Sequence, residues 1–153
     1  MTTITRTTEA TCLVYAAELL AAHLADHQLP QPASLTVVTR GVGCSEVTAQ
    51  LRSFTLSGTA ADLLAWADTL TTVTIAAWRP PRGNRVHLSI TSTLTGPVDT
   101  VELEVFGGAN YCPTLFADLE PDERQAVTLA SLRTWASSTS TDTPVLDMHW
   151  GER

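Results

Sequence analysis

Apolar residues recur at two different spacings along the chain, and these spacings predict a succession of helices and strands. A stripe at intervals of three and four, from Leu13 to Leu24, predicts a first helix over residues 8–27. Alternating apolar and polar residues then predict two short strands, at residues 34–39 and 46–54. A glycine-containing turn at residues 41–44 joins the two strands.

The second half of the chain is predicted to form a helix, three strands and another helix. Thr59 can cap the second helix through its hydroxyl, with Asp62 three residues later in the position of a capping box. Three alternating strands follow at residues 72–78, 85–94 and 100–106. A loop over residues 107–116 then leads to a third helix near residues 121–136, where Pro121 suits the first turn.

This order of elements predicts an α+β fold: a single, mostly antiparallel, five-stranded sheet with helices on one face. The short connections at residues 80–84 and 95–97 favour an antiparallel meander. We expect residues 1–136 to form one domain and residues 137–144 a polar linker. The apolar segment 145–153 is expected to dock on its own chain or on a neighbouring copy.

Composition and charge narrow the classes of function. The 153 residues are 44% hydrophobic and only 16% charged, which is typical of a globular protein. The net charge of −7 argues against direct nucleic-acid binding, because such binding depends on Lys and Arg neutralising phosphates. The sequence lacks an apolar run of about 18 residues and a secretory signal, so we expect a cytoplasmic protein that does not enter the membrane.

Two sets of residues are candidates for metal or nucleophile chemistry. His23 and His27 lie four apart on the first helix, a spacing that can chelate a divalent metal. A third ligand would have to come from far away, from Cys112 or His149, so we expect no metal and no cofactor. Cys44 lies in a glycine turn that can present a thiol, and His87 on the sheet is the candidate base, but no helix starts directly after Cys44 to stabilise a thiolate.

The face of the meander that points away from the core carries the most promising polar residues. Arg85, His87, Ser89 and Thr91 alternate on one predicted strand, and Glu102 and Glu104 on the next. Opposite charges across strands stabilise a sheet, so a solvated face explains this pattern. The alternative is a binding face, with His87 as an acid or base beside a carboxylate. The candidate ligand-binding residues are Arg85, His87, Glu102, Glu104, Asn110 and Tyr111.

We expect a non-enzymatic accessory or regulatory protein that binds a protein partner and self-associates as a homodimer. The candidate interface residues are Tyr15, Leu19, Met148 and Trp150. The alternative is a small-molecule-binding protein or a small enzyme that uses the polar sheet face around His87, flanked by Trp78 and Tyr111. A third hypothesis, an acidic regulator of DNA-binding proteins, fits the net charge but lacks long rows of carboxylates. No motif assigns a catalytic residue.

Overall fold

Three helices and one six-stranded sheet make up the described part of the protein. The computed structural model describes residues 2–40 and 45–138. The elements are α1 (Thr2–Asp26), β1 (Ser34–Thr39), β2 (Ser45–Gln50), α2 (Leu56–Ala67), β3 (Thr74–Trp78), β4 (Arg85–Thr95), β5 (Thr100–Asn110), β6 (Arg124–Ala126) and α3 (Leu129–Ser137). The predicted α+β class is confirmed, with six strands in place of the predicted five.

The strands lie in the order β1-β2-β5-β4-β3-β6. Four of the neighbouring pairs are antiparallel, and β2 pairs with β5 in parallel. Strands β3, β4 and β5 form the predicted meander. Within the sheet, the β1–β2 hairpin is therefore attached to the meander through the parallel pairing of β2 with β5, and α1 contacts both parts.

Helices α1 and α2 cover one face of the sheet, as predicted. Alternate residues of the strands join both helices in a single buried cluster that includes Val47, Leu88, Ile90, Leu103 and Val105. Helix α1 contributes Ala16 and Leu20 to this core, and α2 contributes Leu63 and Trp66. Helix α3 packs on α2 and buries Leu132. The opposite face of the sheet, here called the open face, carries the polar alternation predicted from the sequence.

The predicted start of α2 at Thr59 is wrong. The helix begins at Leu56, and the side chain of Thr55 accepts a hydrogen bond from the Gly58 amide at 3.1 Å. Thr59 is fully buried, and its hydroxyl donates to the Gly108 carbonyl at 2.8 Å. Strand β2 has ended by this point, so the hydroxyl satisfies a carbonyl of β5 for which the sheet supplies no further amide.

The predicted loop at residues 107–116 and the predicted start of the third helix at Pro121 also need correction. Strand β5 continues through residues 107–110, because its partner β4 extends back to Arg85. Residues 124–126 form β6, the sixth strand, where a helix was predicted. The Arg79 carbonyl accepts from the Asp122 amide at 2.7 Å, and the Arg79 amide donates to the Glu123 carbonyl at 3.0 Å. These bonds align the segment with the edge of β3, and α3 begins only at Leu129.

Several predictions concern residues outside the described ranges: those for Cys44, for the linker beyond residue 138 and for the C-terminal segment 145–153. Of the helices within the described ranges, none has both the length and the apolar character needed to cross a membrane.

Candidate binding site on the open sheet face

Three rings form a continuous aromatic row across the middle of the open face. The row consists of Trp78 on β3, His87 on β4 and Phe106 on β5, each half-buried. Trp78 lies directly opposite His87, and their rings meet edge to face with centroids 5.3 Å apart. The ring of Phe106 stacks on the other side of His87, at 5.8 Å and an interplanar angle of 19°.

Two adjoining depressions border the aromatic row, and together they form a shallow trough. The first has a volume of about 290 Å³ and is lined by Trp78, His87, Ser89, Glu104, Phe106 and Arg124. The second, of about 260 Å³, shares His87 and Phe106 and extends over Gly108 to Phe54, which is 72% exposed. No residue of a described helix lines either depression.

An arginine lies near each end of this trough. Arg124 on β6 pairs with Trp78 and is exposed. The guanidinium of Arg85 lies over Gly108, where a Cβ atom would be only 2.5 Å from its Nη2 atom. Among the described side chains, those of residues 12–40 and 45–138, the one ion pair joins Arg40 to Glu46 at 3.1 Å. Arg85 and Arg124 therefore have no carboxylate partner among the described residues.

The carboxylates of the open face lie further along the strands than His87, and one of them, Glu104, lines the same depression as Arg124. Glu104 borders the first depression, opposite Thr91 of β4. Glu102 is one alternation further along β5, exposed, and outside both depressions. Glu46 of β2 lies directly beside Glu102 in the parallel register. One end of the open face is therefore acidic, and the band that contains the aromatic row is flanked by positive charge.

His87 contacts an aromatic ring on each side and carries a perturbed pKa. Partial burial, and after it the charge of Arg85, lowers the pKa of His87, which favours the neutral imidazole at neutral pH. Neither ring nitrogen of His87 forms a hydrogen bond with a described residue, and no bond links it to Glu104. A general acid or base is usually oriented by such a bond.

Asn110 and Tyr111 have different surroundings, although both were candidates for ligand binding. Asn110 ends β5 opposite Arg85, on the same face as the trough. Tyr111 lines neither depression of the trough. Its hydroxyl donates to the Phe116 carbonyl at 3.1 Å, and its ring lies 3.8 Å below the guanidinium carbon of Arg79. Tyr111 thus holds the loop between β5 and β6 in place.

The histidines of α1 make a structural contact with α2. The Thr69 hydroxyl donates its single proton to the Trp66 carbonyl at 2.7 Å, so it accepts from Nε2 of His23 at 2.8 Å. The rings of His23 and His27 are 4.7 Å apart. Burial, followed by repulsion from His27, lowers the pKa of His23. Among the residues that the structure describes, no three His, Cys, Asp or Glu side chains are grouped to hold a metal ion.

The candidate interface residues Tyr15 and Leu19 contact their own chain. The Tyr15 hydroxyl donates to the Asp99 carbonyl at 3.0 Å and accepts from the Asp99 amide, also at 3.0 Å. A Cβ atom on Gly96 would collide with both Tyr15 and Leu19, which shows how closely α1 approaches the β4–β5 turn. The other two candidates, Met148 and Trp150, lie outside the described residues.

Phe106 and Arg124 are central to the trough but were not among the candidates. Phe106 continues the alternation of Glu102 and Glu104, so the period-two pattern already placed it on the open face. Arg124 carried no such signal, because its segment was predicted as helix and its position depends on β6 pairing with β3. Comparisons with family models, with curated proteins and with solved structures each found no match.

Proposed function

We propose that the protein is a non-enzymatic accessory protein that binds a partner protein through the trough on its open face. The observation that supports this most directly is the aromatic row, which is half-buried on a sheet face that no described helix covers. Two arginines flank the row, and neither has a carboxylate partner among the described residues. Aromatic residues and arginine are enriched in the central, energetically dominant parts of protein interfaces.

The shape of the trough favours a protein partner over a small molecule. Sites for small molecules usually enclose most of the ligand surface in a cleft of about 300–1,000 Å³. Here two shallow depressions of about 290 and 260 Å³ lie side by side on a sheet. From β6 to β2 the trough crosses four strand spacings, roughly 19 Å. An elongated segment of a partner fits this shape better than a compact ligand does.

The test compares partner binding by the wild type and by variants of the trough. Proteins captured by the wild-type chain from a lysate of its own cells are identified, and each is purified and titrated calorimetrically. Phe106→Ala and His87→Ala are expected to weaken the interaction at least tenfold, as central interface residues do. Val98→Ala, at a residue that is 83% exposed on the β4–β5 turn, is the matched control. Equal affinity of the trough variants, or no partner that binds after purification, would refute the proposal.

We also propose that two copies associate through β1, the edge strand of the sheet. Its residues Ser34–Thr39 carry no charge, and they pair only with β2 among the described strands. Leu35 is 46% exposed and Val38 41% exposed. Uncharged apolar edge strands readily pair with another strand. A two-fold axis at Thr36 would place Leu35 of one copy opposite Val37 of the other, on the same face of a continuous sheet.

Light scattering after size exclusion tests this association. The wild type is expected to elute with the mass of a dimer, and Val38→Lys with that of a monomer. Val98→Lys places the same charge on the distant turn and is expected to remain dimeric. A monomeric wild type at the highest soluble concentration, or a dimeric Val38→Lys variant, would exclude β1 as the interface.

A further inference from the structure

The geometry points to the chemistry of the partner segment: we infer an extended acidic peptide with two carboxylate residues four positions apart and a large apolar or aromatic residue midway between them. This inference rests on the proposed function, because it concerns what the trough holds. It depends on the register of the strands, on the two arginines and on the position of the aromatic row.

The strand register places the binding groups on one line across the sheet. Arg124 lies opposite Trp78, Trp78 opposite His87, and His87 opposite Gly108. This line crosses β6, β3, β4 and β5, which is three strand spacings or roughly 14 Å. The guanidinium of Arg85 lies over Gly108, so the line has an arginine side chain at each end.

An extended peptide laid along this line matches its length. Such a chain rises about 3.3 Å per residue, so 14 Å corresponds to about four residues. Side chains at positions i, i+2 and i+4 of an extended chain point to the same side. Carboxylates at i and i+4 therefore meet the two arginines, and the side chain at i+2 meets the middle of the line. Arg binds a carboxylate through paired, charge-assisted hydrogen bonds.

The middle of the line suits a large apolar side chain. By register it falls between Trp78 and His87, and the ring of Phe106 stacks on the far side of His87. Aromatic pairs at such separations contribute about 0.5–1.5 kcal/mol beyond the area they bury. Ser89, which is only 6% exposed, forms the floor beside these rings. A small or charged residue at i+2 would leave this floor unfilled.

Charge restricts the peptide to this line. The protein carries a net charge of −7, and Glu104, Glu102 and Glu46 occupy the neighbouring part of the open face. These carboxylates repel an acidic ligand that is displaced along the strands. The two arginines lie at the ends of the line, so an acidic segment is held over the aromatic row and aligned across the strands.

A peptide-display selection on the intact wild-type chain tests the inference. We expect random peptides enriched on the protein to carry Asp or Glu at i and i+4 and an aromatic or large aliphatic residue at i+2. A synthetic peptide of the enriched sequence is then titrated into ¹⁵N-labelled protein. The amide signals expected to move belong to residues 76–78, 87–89, 106–108 and 124. Replacing both carboxylates by amides in the peptide should abolish most of the binding.

Substitutions that remove the arginine charge test the carboxylate contact expected at each end of the line. Arg124→Gln and Arg85→Gln are each expected to weaken the peptide about three- to tenfold, because each removes one guanidinium–carboxylate contact at a partly exposed site. Arg133→Gln, an exposed arginine on α3, is the matched control and should leave affinity unchanged.

The possible outcomes distinguish failure of the peptide inference from failure of the proposed function. Selection of peptides without the acidic pair, with the same open-face signals moving, would overturn the inference and leave the trough as a binding site. Movement of signals elsewhere, or no enrichment at all, would also overturn it. The proposed function is decided separately, by the affinity of the purified partner for the Phe106→Ala variant.

Discussion

Two adjacent glycines of β5 face opposite sides of the sheet, and alanine at each is expected to have a different effect. A Cβ atom on Gly107 would lie 2.7 Å from Cγ2 of Thr59 and 3.4 Å from Cβ of Leu51, inside the core. A Cβ atom on Gly108 would meet the guanidinium of Arg85 on the open face. Gly107→Ala should therefore destabilise the fold, and Gly108→Ala should alter the trough instead.

The expected loss of stability in Gly107→Ala depends on whether Thr59 can move away from the added methyl group. Carbon atoms in contact prefer about 3.5–4.0 Å, so Gly107→Ala creates an overlap of about 1 Å. Thr59 cannot turn away without losing the hydrogen bond from its hydroxyl to the Gly108 carbonyl. Overpacking of this kind destabilises the folded state by about 1–3 kcal/mol. Replacing glycine by alanine also reduces the conformational entropy of the unfolded chain, which offsets about 0.4–1 kcal/mol of that loss. We expect a net loss of about 1–2 kcal/mol, or a urea midpoint lower by about 0.5–1 M.

Urea unfolding followed by tryptophan fluorescence measures this loss. Gly108→Ala is the neighbouring control, since the end of the Arg85 side chain can move aside, and its stability should lie within about 0.5 kcal/mol of the wild type. The same variant should bind the acidic peptide more weakly, because the guanidinium is displaced. If Gly107→Ala proved as stable as Gly108→Ala, the inference that α2 packs too closely on β5 to admit a methyl group at residue 107 would be wrong.

Three further predictions concern polar residues that are buried or partly buried. Thr59→Val should lower the free energy of unfolding by about 1–3 kcal/mol by leaving the Gly108 carbonyl without a donor, whereas Thr59→Ser, which loses one methyl group, should cost about 1 kcal/mol. Burial lowers the pKa of His23 and of His87, so stability is complete above the unfolded value of about 6.5 and falls as pH decreases through it. The double variant with Gln at both histidines should lose less stability than the wild type between pH 7.5 and 5.5, as judged by urea midpoints. Burial raises the pKa of Asp62, so Asp62→Asn should stabilise the protein at pH 7 and lose this advantage as the wild-type carboxyl becomes protonated in acid.

Local patterns in the sequence predicted the open face correctly. The alternation along β4 placed Arg85, His87 and Ser89 opposite the core, and the structure has them there. This succeeded because the two sides of a strand differ in exposure at every second residue, which a single sequence records. The sequence could not decide between a solvated face and a binding face, because that choice depends on how neighbouring strands pair. The aromatic row is formed by residues of three strands.

Non-local contacts account for what the sequence did not predict. Pro121 and Asp122 suit a helix start by local preference. Instead, backbone hydrogen bonds with Arg79, the residue after β3, align this segment so that the next residues pair with β3 as β6. The residue type at Thr59 suits a helix cap, yet its hydroxyl is taken by a carbonyl of distant β5. The parallel pairing of β2 with β5 joins segments separated by α2 and two strands, and no local pattern records such a contact.

That parallel pairing also divides the protein into parts that should open and fold at different rates. Contacts within the meander are between neighbours in sequence, whereas β2 must find β5 across a long intervening chain, which slows its docking. The amides of the β1–β2 hairpin should accordingly exchange with deuterium faster than those of β4 and β5. The aromatic row and both arginines come entirely from β3, β4, β5 and β6, so the groups that recognise a partner would persist while the other edge of the sheet opens.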